Sequence, residues 1–102
     1  MKACCKAYLD EQFGGDADVV NEIYAEYVAS IREKLAEAET ALSSGDWTRL
    51  DRSAHTIKGN ALSSGDTEMA ETAIETRKAA TLADAALASS LLEKIKKFAE
   101  EL

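Results

Sequence analysis

The sequence predicts an all-α fold: an antiparallel up-and-down four-helix bundle with a short additional helix at the N-terminus. Three observations carry this. The composition is 46% hydrophobic and 30% charged, with no proline and five glycines, which suits alanine-rich helices better than sheet or disorder. Apolar residues recur at three- and four-residue spacing along four long stretches. The segments between those stretches are about three to five residues long, which makes sequential helices antiparallel neighbours. At 102 residues the chain fits one domain, 1–102, with length for a single core and little to spare.

In chain order, a short helix is expected over about residues 3–13, with Tyr8, Leu9 and Phe13 as apolar contacts and Gly14-Gly15 as its stop. It should lid one end of the bundle. Asp16 stands where an N-cap is wanted for a long helix over about 17–43, whose apolar positions Val20, Ile23, Tyr27, Ile31, Leu35, Ala38 and Leu42 approach a heptad. Tyrosines at this spacing read as core or seam residues before they read as a stacking platform. Ser43-Ser44-Gly45-Asp46 is a turn, and Asp46 caps a helix over about 47–63. Ser63-Ser64-Gly65 ends that helix. Asp66 or Thr67 caps the next, over about 67–80, with small inward positions at Met69, Ala73, Thr76 and Ala80. Thr81 to Asp84 forms the last turn, and Leu87, Leu91, Ile95, Phe98 and Leu102 stripe a final helix over about 84–101. No internal repeat is expected.

The net charge of −7 repels a nucleic-acid backbone, and no basic cluster offsets it. No stretch has the 18 or so uninterrupted apolar residues of a membrane span, and the N-terminus lacks the apolar run of a signal peptide, so a cytoplasmic monomer is expected. Cys4 and Cys5 are adjacent, too close for an ordinary disulfide with each other, and no further cysteine completes a zinc site. They read as two reduced thiols on the first helix.

The stretch from Ala54 to Gly65 is the chemically informative one. It holds the only histidine, His55, with Lys58 three residues later, Gly59 four residues later and Gly65 ten residues later. Residues three and four apart are neighbours on a helix, so Lys58 and Gly59 both lie beside the imidazole. On a helical wheel Trp47, Leu50, Ala54, Ile57 and Ala61 form one apolar stripe, with His55 roughly 120° and Gly59 roughly 160° from its centre. Both face outward. A lone outward histidine is ordinarily of no consequence, but a glycine in a helix interior costs about 0.5–1 kcal/mol against alanine and needs a reason. Access to the ring supplies one.

His55-Thr56-Ile57-Lys58-Gly59 followed by Gly65 resembles the signature of histidine-containing phosphotransfer (HPt) domains, the carriers of two-component phosphorelays. Phe13-Gly14-Gly15-Asp16 is similar to the start of that family's first bundle helix, and helix order and lengths fit over about residues 8–102. The chain departs from the usual pattern at Asp66, where a small apolar residue is common, and at Thr76-Arg77, where a Leu-Glu pair often stands. The resemblance implies a phosphoryl carrier rather than an enzyme with its own ATP or metal site. His55 would accept a phosphoryl group from a receiver-domain aspartate, in a response regulator or hybrid histidine kinase, and pass it to another receiver.

The residues agree with that chemistry. A neutral imidazole keeps one nitrogen lone pair and is a competent nucleophile toward phosphorus. Phosphoryl transfer also needs cations and in-line positioning, for which the chain offers Lys58 but no nucleotide loop and no metal ligands. No cofactor is expected on this chain, and the Mg²⁺ is expected on the partner receiver. Thr48, Arg52, Gly59 and Leu62, on the exposed face around His55, read as a partner-binding patch, and Gly65 reads as a structural turn. Two other readings stand beside this one. The first is a helical interaction module with an incidental histidine. The second is the N-terminal phosphotransfer domain of a larger histidine kinase, against which we set the initiating Met1.

Overall fold

A computed structural model describes residues 1–102. It is built from five α-helices and no strands: α1 (Ala3–Gln12), α2 (Ala17–Ser44), α3 (Trp47–Ser63), α4 (Thr67–Thr81) and α5 (Ala85–Glu100). α2 packs on α3, α3 on α4 and α4 on α5, and α5 closes back onto α2, while α1 lies against α2. This is the predicted four-helix bundle with its short extra helix. At 1.5 Å per residue α2 alone is about 42 Å long, which accounts for the 43 Å long axis of a molecule 20 and 18 Å across.

The core is made of the expected stripes with local corrections. α2 contributes Val20, Tyr24, Tyr27, Ile31, Leu35, Ala38 and Ala41, with Ile23 and Leu42 half-buried beside them. Both inward tyrosines are therefore core residues. α3 contributes Leu50, Ser53, Ala54, Ile57 and Ala61, and α4 contributes Met69, Ala70, Thr72, Ala73, Thr76, Ala79 and Ala80. In α5 the inward set is Ala88, Leu91, Leu92, Ile95 and Ala99. Leu87, expected in that stripe, is 42% exposed because it sits in the first turn beside the cap, before α5 meets its neighbours. Phe13 is likewise exposed: α1 stops at Gln12, and Cys5 and Leu9, four residues apart, form its buried face.

Each bundle helix begins on an aspartate whose carboxylate accepts a backbone N–H three residues on: Asp16 from Val19, Asp46 from Arg49, Asp66 from Met69 and Asp84 from Leu87. Contrary to expectation the sequence does repeat: Ala-Leu-Ser-Ser-Gly-Asp occurs at 41–46 and again at 61–66. Both copies make the same turn. Asp46 and Asp66 each donate a backbone N–H to the alanine carbonyl five residues back, at 2.9 Å, over a left-handed glycine. The turn before α5 repeats the geometry, with Asp84 N–H on the Ala79 carbonyl and Ala83 left-handed at φ 52°.

The two hexapeptides end in different surroundings. Asp46 is exposed, whereas Asp66 is fully buried under α1. Its carboxylate receives the Lys2 ammonium at 2.6 Å and the Tyr27 hydroxyl at 2.7 Å. The Lys2 backbone N–H donates to the Tyr24 hydroxyl, which donates to the Leu102 carbonyl, so both chain ends are tied to α2. Burial alone would lower the Lys2 pKa, but the hydrogen bond and charge of Asp66 outweigh it and leave it raised. Burial first, then the nearby Asp66 charge, pushes the Cys5 thiol up to about 12. The Tyr27 hydroxyl is also raised, by burial and by its bond to Asp66.

Candidate functional site

α3 owes its outward face to its inward one. With Leu50, Ala54, Ile57 and Ala61 all fully buried, the 3.6-residue period turns His55 and Gly59 to solvent, and both are exposed. A Cβ added to Gly59 would meet nothing within 4 Å, so no packing neighbour explains the glycine. The space over the ring one turn after His55 is open.

The imidazole has one hydrogen-bond partner, and it comes from α4. Arg77 Nη1 stands 3.0 Å from His55 Nδ1, and Arg77 Nε donates to Asp51 Oδ1 at 2.9 Å. Asp51 lies one turn before His55 on α3, so the guanidinium bridges two consecutive turns of that helix. The Arg77 and Asp51 side chains are 35% and 40% exposed. Lys58 is half-buried and makes no ion pair; it lines a shallow depression between α3 and α4 together with Asp51, Ile74, Arg77, Lys78 and Thr81. Three cations, Lys58, Arg77 and Lys78, thus share this depression, and one of them, Arg77, touches His55, in a molecule of net charge −7.

The remaining sequence-derived positions spread along α3. Arg52 is exposed one turn before the ring, and Leu62 is exposed two turns after it at 52%, outside the set of side chains packed on the core. Thr48 is exposed at the far end of α3, roughly 10 Å from His55 along the axis, beside Trp47 and Thr81. Gly65 lies away from the imidazole: its φ is +74°, and an added Cβ would collide with the Tyr8 side chain of α1. It serves the turn and the seating of α1.

Sequence reasoning missed Asp51 and Arg77. Asp51 had a signal, being a carboxylate four residues before His55 on the same face. Arg77 stood out only as a departure in the third bundle helix. Its reach to His55 depends on the axial register of α4 against α3, which the Ser64–Asp66 turn sets.

A family model described as Hpt domain matches residues 22–102. The match takes in most of α2 and all of α3, α4 and α5, and leaves out α1. Comparison with curated proteins and with solved structures gives no match.

Proposed function

The chain belongs to the Hpt domain family, and from that premise we propose that His55 accepts a phosphoryl group from a receiver-domain aspartate and passes it to a second receiver. Hpt domains act in phosphorelays, where they meet receiver domains. The observation that carries the reading for this chain is the outward imidazole of His55 with open space at Gly59. A ring nitrogen forms the N–P bond while the P–O bond of the aspartyl phosphate breaks, its electron pair staying on the carboxylate. Lys58 supplies positive charge near the transferring group, and the Mg²⁺ comes on the receiver. Gly59, Leu62, Arg52 and Thr48 form the surface on which the receiver sits. In this role the chain is a carrier that phosphorylates nothing from ATP.

The test is acid-labile labelling from a phosphorylated receiver. His55→Gln should abolish label while leaving helicity and Tm nearly unchanged, because an outward side chain contributes little to the core. Label retained in that variant ends the carrier reading. No label on the wild-type chain across a panel of receivers favours a helical interaction module instead.

A further inference from the structure

A guanidinium has N–H donors, no acceptor and no neutral form in proteins. In the contact between Arg77 Nη1 and His55 Nδ1 the arginine therefore donates and Nδ1 accepts. A ring nitrogen that accepts carries a lone pair and no hydrogen, so the single hydrogen of the neutral ring is on Nε2. Nε2 makes no hydrogen bond within the protein, and with Nδ1 engaged it is the nitrogen left free on an exposed ring.

We propose that Arg77 is a positioning residue that holds His55 in the Nε2–H tautomer, so that loading waits for the guanidinium to leave the ring. The inference rests on the reading of His55 as the phosphoryl acceptor. In the held tautomer the accessible nitrogen has no lone pair to offer. The hold is built rather than incidental: Arg77 Nε is anchored on Asp51, and the anchored guanidinium lies on the seam between α3 and α4.

When Arg77 withdraws, water can carry the ring proton from Nε2 to Nδ1. The Nε2 lone pair then forms the N–P bond as the P–O bond of the donor breaks with its electrons on the carboxylate. Nδ1 next releases its proton to water, and its lone pair can again accept from Arg77. The arginine thus suits the ring before loading and after it, and opposes only the attacking tautomer. The negative charge of a docked aspartyl phosphate is chemistry suited to draw the guanidinium away.

Two measurements on the full chain test this. Long-range ¹H–¹⁵N NMR at about pH 8.5, where an imidazole is neutral, reads the tautomer with no phosphate present. Wild type should show Nε2–H, Arg77→Ala a mixture, and Arg77→Glu, which accepts instead of donating, a shift toward Nδ1–H. Loading by phosphoramidate, a small donor that needs no docking surface and releases ammonia, should be faster in Arg77→Ala by about tenfold, the bias expected of a charged hydrogen bond at a half-exposed site. A wild-type ring in the Nδ1–H form, identical ring spectra in wild type and Arg77→Ala, or slower loading in both variants overturns the assignment. If the spectra shift as expected but wild type takes no label, the arginine assignment stands and the carrier reading fails.

Discussion

A methyl group added at Gly59 would point into open space, whereas one added at Gly65 would strike Tyr8. The two glycines of one motif therefore answer to different demands. Gly59→Ala should stabilise the fold by about 0.5–1 kcal/mol, since alanine loses less backbone entropy in a helix interior. Gly59→Gln should be nearly as well tolerated by the isolated bundle, yet it places a long side chain where, under the proposed function, the donor phosphorus would approach His55 to about 3 Å. Thermal unfolding and the transfer rate from a phosphorylated receiver, measured on both variants, should move in opposite directions. A stable Gly59→Gln protein that transfers at the normal rate would remove access as the reason for the glycine. At this scale the outward placement of His55, Gly59 and Leu62 was legible, because α3 alone determines it. The placement of Arg77 was not, because two helices determine it jointly.

The repeated Ala-Leu-Ser-Ser-Gly-Asp turn separates what an element encodes from what its neighbours impose. Both copies hold a left-handed glycine and an aspartate cap, and that much follows from local chemistry. Gly45 has open space around it, so Gly45→Ala should cost only the left-handed strain, about 1 kcal/mol. Gly65→Ala adds a collision with Tyr8 to the same strain and should cost about 1–3 kcal/mol more. Denaturant midpoints of the two variants measure the difference; equal losses would mean that α1 does not seat on the second turn as the structure has it. Identical residues cannot announce this inequality. The boundaries of α2, α3 and α4 were close to those read from caps and stripes. Phe13 and Leu87 were misplaced because a periodic stripe does not say where along a helix its neighbours begin.

For the whole molecule, the cluster of Lys2, Cys5, Tyr27 and Asp66 at one end sets an alkaline limit. The Cys5 thiol keeps its proton in the folded chain up to about 12, against 9.0 for an ordinary thiol. Between those values the folded state binds a proton that the unfolded state has lost, so stability is complete below about 9 and falls as pH rises. The raised Lys2 and Tyr27 act in the same sense at higher pH. Unfolding free energies measured from pH 8 to about 12 should therefore decline, and Cys5→Ala should flatten the decline by up to about 1.4 kcal/mol per pH unit. An unchanged slope would mean that the thiol is not held protonated. Acidity and bundle class were visible in composition, but a buried Asp66 was not, since nothing local marks one aspartate cap as the one that α1 will cover. Under the proposed function, the net charge of −7 disfavours long-range attraction to an acidic receiver, so Arg77 beside His55 and Lys58 on the same helix would act at contact range.

The single open face around His55 and Gly59 has a kinetic meaning under the proposed function. Donor and acceptor receivers need the same ground, so they must come in turn, and no complex of all three proteins forms. The carrier then works as a ping-pong shuttle: loaded by one partner, released, and unloaded by the next. An excess of either unphosphorylated receiver occupies the face unproductively and throttles the flow. Relative receiver abundance, as well as chemistry at the imidazole, thereby becomes a control on the throughput of the relay.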